Sequence, residues 1–299
     1  MIRWISATVT VLTVLIPVSG TTQADHHTSA GLLANQQGLR WARSAVVPFR
    51  IEATPHRGPG FVKASHGRAG TELPDFSSYQ DIQTKKLRFF SWLLPLVDDE
   101  NERLAGLRTR LEYIHDHVRW GHPLDPDDRD WLADLSREFG INGIDPETEE
   151  FWPVIYRRVD TLPDHLVLVQ AANESAWGTS RFAREGNNLF GQWCFRQGCG
   201  LVPSGRPEGE TYEVAKFESV DESIASYMHN LNTGRVYREL REIRAAHREA
   251  GEDPDASELA EGLMRYSERG QAYIDELRAM IRYNDDVIEE ARTTLAESS

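Results

Sequence analysis

The chain has 299 residues and carries 33 basic against 47 acidic side chains, a formal charge of −14. Such an excess of acid excludes a nucleic-acid binder that works by neutralising phosphates, because Lys and Arg supply that affinity. It predicts a soluble, solvated surface, and the length suffices for one or two domains with a real core.

Arg3 precedes an apolar stretch from Ile5 to Val18, and small and polar residues follow, ending in Thr22-Gln23-Ala24. This is the charged, apolar, small-residue order of a secretory signal, so residues 1–24 are expected to be removed after export to the periplasm or beyond. The apolar run is too short for a good membrane span, so a transient membrane contact is expected, with an uncleaved N-terminal anchor as the competing reading. Residues 25–78 are rich in Gly and Pro and read as a linker or loosely ordered arm, with one short strand near Val46 to Ile51.

From Tyr79 a helical pattern sets in. Leu87, Phe90, Leu94 and Val97 share a face, Pro95 is expected to bend or break the run, and a second helix is expected from Asp99 through Val118. Asp125-Pro126 caps a third helix that ends at Gly140, and Asp145-Pro146 is expected to open a fourth. Pro163 opens a fifth, apolar nearly all round through Leu166, Val167, Leu168, Val169, Ala171 and Ala172, as a buried central helix should be. Residues 187–220 are Gly-rich and aromatic, with a strand-like piece at Tyr212 to Phe217 that predicts a small hairpin lobe. Helical stripes then continue to Ile288. Cys194 and Cys199, close in sequence and in an exported chain, predict a disulfide that stiffens Trp193 to Gly200.

One residue stands out chemically. Glu174 lies on the most apolar helix, one turn after Gln170 and on the same face. Burying a charged carboxylate is costly, so its pKa should rise, and a carboxyl kept protonated near neutral pH is what glycoside hydrolysis requires of its acid. The competing expectation is a buried Glu satisfied by an Arg or by backbone amides. Other clusters are weaker. His115 and His117 diverge on a helix, His26-His27 lie in the arm, His165 reads as a packing residue, and Asp125-Pro126-Asp127-Asp128 lacks calcium-loop spacing. No metal or other cofactor is expected. Nor is ATP, since there is no Gly-x-x-x-x-Gly-Lys-Ser/Thr loop.

Glu174-Ser175-Ala176-Trp177-Gly178, followed closely by Asn187-Asn188-Leu189-Phe190-Gly191, resembles the N-acetylglucosaminidase family of peptidoglycan hydrolases. That family includes the flagellar muramidase-like domain and many autolysins, and the chain looks most like its enterobacterial Bax members. The resemblance spans roughly Leu162 to Ile281 and includes Tyr212 to Phe217, Tyr227, Tyr237, and Tyr266-Ser267-Glu268-Arg269-Gly270 with Tyr273. Where the family usually has Gly, this chain has Ala176.

The resemblance implies a mostly α, lysozyme-like helical domain with a small β-hairpin lobe. Residues 79–160 would form its N-terminal part, 161–292 the catalytic domain and 293–299 a tail. It implies Glu174 as catalytic acid, Glu213 (then Glu210) as second carboxylate, and Tyr273 (then Tyr227) near the acid. Gln170, Trp177, Asn188, Phe190, Gly191, Trp193 and Tyr266 would line the substrate cleft. The partner implied is the glycan strand of peptidoglycan, cut after N-acetylglucosamine by a monomer. Glu213 could activate a water, or the sugar's own 2-acetamido oxygen could attack. A lytic transglycosylase and a non-catalytic wall-binding module are the rival readings.

Overall fold

The computed structural model describes residues 72–298. The signal segment, the strand expected near Val46 to Ile51 and most of the arm lie outside the described residues. Among the described residues nine α-helices run in order: α1 Ile82–Arg119, α2 Pro126–Glu138, α3 Phe151–Arg158, α4 Asp164–Glu174, α5 Arg181–Gly186, α6 Val220–Thr233, α7 Arg238–Ala250, α8 Ala256–Leu259 and α9 Gln271–Ser298. Three short strands, β1 Trp193–Cys194, β2 Gly200–Leu201 and β3 Glu213–Ala215, lie between α5 and α6. They form one antiparallel sheet with β3 in the middle, pairing Cys194 with Glu213 and Gly200 with Ala215. The molecule is thus mostly α with a small hairpin lobe, the lysozyme-like arrangement expected.

α4 is the axis of this arrangement. Leu166 to Ala172 are buried without interruption, and α1, α8 and α9 pack around it. Two helices expected from the sequence are one: α1 runs unbroken for 38 residues through Pro95 and Asp99. Proline removes one helical hydrogen bond. Here the buried stripe of Phe89, Phe90, Leu93, Leu94, Val97, Leu104 and Leu111 continues on both sides of it, so packing outweighs the local break. α2 is capped as expected, with Asp125 accepting from the N–H of Asp127. The fourth helix starts later than expected. Asp145 accepts instead from Glu147 within a turn, and α3 begins at Phe151.

The boundaries expected at both ends also move. The end of the arm is not loose: Phe76 sits in a single turn of helix, is 1 % exposed, and packs edge-on to Phe89 with ring centroids 5.2 Å apart. At the other end α9 continues through residues 293–298 rather than stopping at Arg292. One core cluster runs from Phe76 to Ala291, so the two parts expected on either side of residue 160 share a single interior. Replacing Phe76 by Ala is expected to lower unfolding free energy by about 3 kcal/mol, read as a reduced urea midpoint at constant m-value.

Candidate active site

Glu174 is the last residue of α4. The negative end of a helix dipole disfavours a second negative charge there. Its two carboxylate oxygens have different surroundings. Oε1 accepts the hydroxyl proton of Tyr273 at 2.8 Å, with a longer 3.5 Å contact from Asn173 Nδ2. Oε2 has no hydrogen-bond partner among the described residues, and the side chain is only partly buried, which leaves this oxygen open. Gly191 flanks it at φ +62°, where a Cβ would stand 3.9 Å from Oε2. Any larger side chain would extend into the space beside the free oxygen.

Burial is the main force on this group, and with the nearby Glu276 carboxylate it lifts the Glu174 pKa to about 7. The hydrogen bonds from Tyr273 and Asn173 and the charge of Arg269 oppose the rise. Arg269 and Glu276 form an ion pair with each other. Neither was singled out for this role from the sequence. Arg269 lies in the Tyr-Ser-Glu-Arg-Gly block just before α9 and Glu276 one turn beyond Tyr273 on it, so helical spacing from Tyr273 could have signalled Glu276 alone.

A buried relay fixes Tyr273. The hydroxyl of Tyr227 donates to Gln170 Oε1, Gln170 Nε2 donates to the Tyr273 oxygen at 3.0 Å, and Tyr273 donates to Glu174. Each member donates toward Glu174, so each bond polarises the next. Burial raises the pKa of Tyr227 and Tyr273 well above the usual phenol value, which keeps both as donors. Aromatic stacking holds the relay: Phe190 on Tyr227 with centroids 3.9 Å apart, and Tyr266 on Tyr273 at 5.5 Å. Tyr266 also donates to the carbonyl of Phe190 at 3.0 Å.

This geometry corrects several expected roles. Gln170 is 0 % exposed and cannot line a cleft; Tyr227, expected near the acid, is also 0 % exposed and acts through Gln170 and Tyr273. Phe190 and Tyr266 are buried stacking partners. Asn188 spends its side chain on four backbone contacts, donating to Gln192 O and Ala215 O and accepting from the N–H groups of Phe190 and Gln192. It folds the Asn-Leu-Phe-Gly turn onto β3. Trp193 is buried against Tyr212, with centroids 4.3 Å apart. Trp177 packs between Phe89 and Phe90 under Lys86 and keeps only part of its surface exposed. Of the expected cleft residues, Gly191 and the exposed part of Trp177 remain open.

Glu213, expected as the second acid, is otherwise engaged. Its Oε1 accepts from the N–H of Gly198 at 3.0 Å and its Oε2 from the N–H of Gly200 at 2.8 Å. These bonds hold its carboxyl below the usual carboxylate range, and a carboxylate so stabilised is a poor base. It clamps the loop closed by the Cys194–Cys199 disulfide. The two sulfurs lie near Glu213 but are bonded to each other, so they offer no thiolate to a metal. Glu210, the second choice, is exposed.

The turn after Glu174 is strained. Ala176, Trp177 and Gly178 all have left-handed backbones, at φ +52°, +60° and +74°. Ser175 braces it, donating to Ala171 O at 2.6 Å and accepting from the Gly178 N–H at 2.7 Å. Gly178 has no room for a side chain, since a Cβ would lie 2.7 Å from the Phe76 ring. Ala176 bears the left-handed penalty without such a reason. Replacing it by Gly should remove about 1–2 kcal/mol of strain and return about 0.5–1 kcal/mol in unfolded-chain entropy. A modest rise in urea midpoint is expected.

Among known proteins, residues 154–286 match the family described as Glucosaminidase, mannosyl-glycoprotein endo-beta-N-acetylglucosaminidase. The chain is 31 % identical over 218 residues to protein bax of Escherichia coli strain K12, covering 73 % of this chain and 76 % of that protein. No solved structure matches. The matched region holds Glu174, the whole relay that positions it and the disulfide-closed loop: the chain belongs to the glucosaminidase family, a family of glycoside hydrolase-like enzymes.

Proposed function

We propose that this chain hydrolyses the β-1,4 bond on the reducing side of N-acetylglucosamine in the glycan strands of peptidoglycan, outside the cytoplasm, with Glu174 as general acid. The observation that carries the reading is the asymmetry of one carboxyl: Oε1 held by Tyr273, Oε2 open, and a pKa of about 7. Such a group is largely protonated in mildly acid conditions and can hand its proton to a glycosidic oxygen.

The commitment of Glu213 to its loop favours the route in which the sugar supplies its own nucleophile. Glu174 protonates the leaving oxygen as the C1–O bond breaks, and the 2-acetamido oxygen bonds to C1. Water then attacks C1, giving its proton back to Glu174 and releasing the acetamido group, with net retention of configuration. Export fits the signal order of residues 1–24 and the disulfide.

Glu174→Gln is expected to lower kcat by about 10²–10⁴-fold while folding normally. Mass spectrometry of digested peptidoglycan should find reducing N-acetylglucosamine ends with the wild type. Anhydro-muramic ends, or equal release by wild type and variant, would overturn the reading. Proton NMR of the first product should show the β anomer; the α anomer would return a water-activating base to the mechanism.

The pH dependence follows from the same group. The acid must be protonated, so kcat/KM is expected to fall as pH rises through about 7. Tyr273→Phe removes a hydrogen bond that lowers the Glu174 pKa, and should move that limb to higher pH. The folded pKa lies above the usual 4.5. The native state therefore holds a proton that the unfolded chain has lost, and stability should decline from about pH 4.5 to 7. Glu174→Gln should flatten that decline, as read by thermal melts across the window.

A further inference from the structure

A pocket lies at the end of α4 away from Glu174. The eleven residues of α4 span about 15 Å at 1.5 Å per residue, and Asp160, just before its start, lies in the wall of a cavity of about 360 Å³. Helices α1, α3 and α7 supply the rest. The lining contains five arginines against three acids, in a chain whose overall charge is −14. Two acids outside the lining also reach it, Glu112 pairing with Arg108 at 3.3 Å and Asp253 with Arg248 at 3.2 Å, so the arginines without a carboxylate partner are Arg157 and Arg241.

Only one of those acids neutralises arginines from within. The buried carboxylate of Asp160 is shared by Arg108 at 3.4 Å, Arg244 at 3.6 Å and Arg248 at 3.3 Å. The other two, Glu149 and Glu249, are exposed and make no ion pair among the described residues. Arg241 is 6 % exposed, and its Nη1 donates to the carbonyls of Leu231 and Gly234 at 2.8 and 2.9 Å, the end of α6. No carboxylate lies within ion-pair distance of it among the described residues. Burial, with Arg158 and Arg244 nearby, lowers it to about 10, so it stays charged at neutral pH. Arg157 reaches the same pocket, is exposed, and has no side-chain partner among the described residues.

A buried guanidinium without a carboxylate is costly, and the guanidinium fork matches carboxylate and phosphate oxygens. From the unpaired Arg241 and Arg157 and the cavity they share, we infer that this pocket binds a small oxyanion carrying at least two negative charges, separately from Glu174. The arm is not the complement: residues 25–71 hold two acids, Asp25 and Glu52, among six basic residues. Nothing in this assignment depends on glycosidase activity.

Calorimetric titration of the full chain at fixed ionic strength tests it, with inorganic pyrophosphate as the phosphoryl probe and citrate as the carboxylate probe. Saturable binding with a Kd of about 1 mM or tighter is expected for at least one. Binding of one alone identifies the oxyanion chemistry, and binding of both assigns recognition to charge. Arg157→Glu, an exposed change, should weaken binding by about tenfold or more with an unchanged circular dichroism spectrum. Arg282→Glu, the same charge change at an exposed position on α9, should not. Absence of saturable binding to either probe, or equal weakening by the two variants, would overturn the inference.

Discussion

The site depends on one hydrogen bond, from the Tyr273 hydroxyl to Glu174 Oε1. It fixes which oxygen of the carboxyl is held and which faces outward, and it moderates a pKa that burial would push higher. Tyr273 can do this because its own oxygen receives a proton from Gln170, and Gln170 in turn receives one from Tyr227. A buried amide with both ends satisfied is stable, whereas one left half-satisfied would carry a desolvation penalty. The relay is therefore all or nothing, which is why three residues on three helices act as one positioning unit.

Around that unit the short sequence blocks act mainly as carpentry. Ser175 braces a left-handed turn so that the chain reverses directly after the acid. Asn188 folds the next turn and ties it to β3, which leaves Gly191 beside the open oxygen. Glu213 and the disulfide hold the loop between β1 and β2. Few of these side chains are available to touch a sugar. They remove freedom from the backbone near Glu174, and a catalytic group gains from having its geometry set before substrate arrives.

The two ends of α4 have opposite electrostatic character. At its C-terminus the helix dipole, Glu276 and burial discourage charge on Glu174. Before its N-terminus a buried carboxylate is outnumbered by arginines. A helix buried from Leu166 to Ala172, with Gln170 the polar side chain in that span, separates the two environments. The proposed proton donor and the proposed anion pocket can therefore coexist within one small domain without neutralising each other.

The sequence by itself determined the central helix, the acid at its end, the hairpin lobe, the disulfide pair and the family. Each is written in local pattern: an all-apolar run, two short blocks in order, two nearby cysteines. It could not show that Pro95 is carried within one long helix, because the packing that outweighs the proline comes from distant residues. Nor could it separate residues that touch substrate from those that position them. Gln170, Asn188 and Tyr227 sit in the right blocks, yet only tertiary structure buries them and saturates their polar atoms. Glu213 stood in the family's place for a second acid, but the amides of Gly198 and Gly200 reach it only when the loop closes. The arginine pocket was invisible for the same reason, since its charges come from α1, α3 and α7 and meet only in the folded chain.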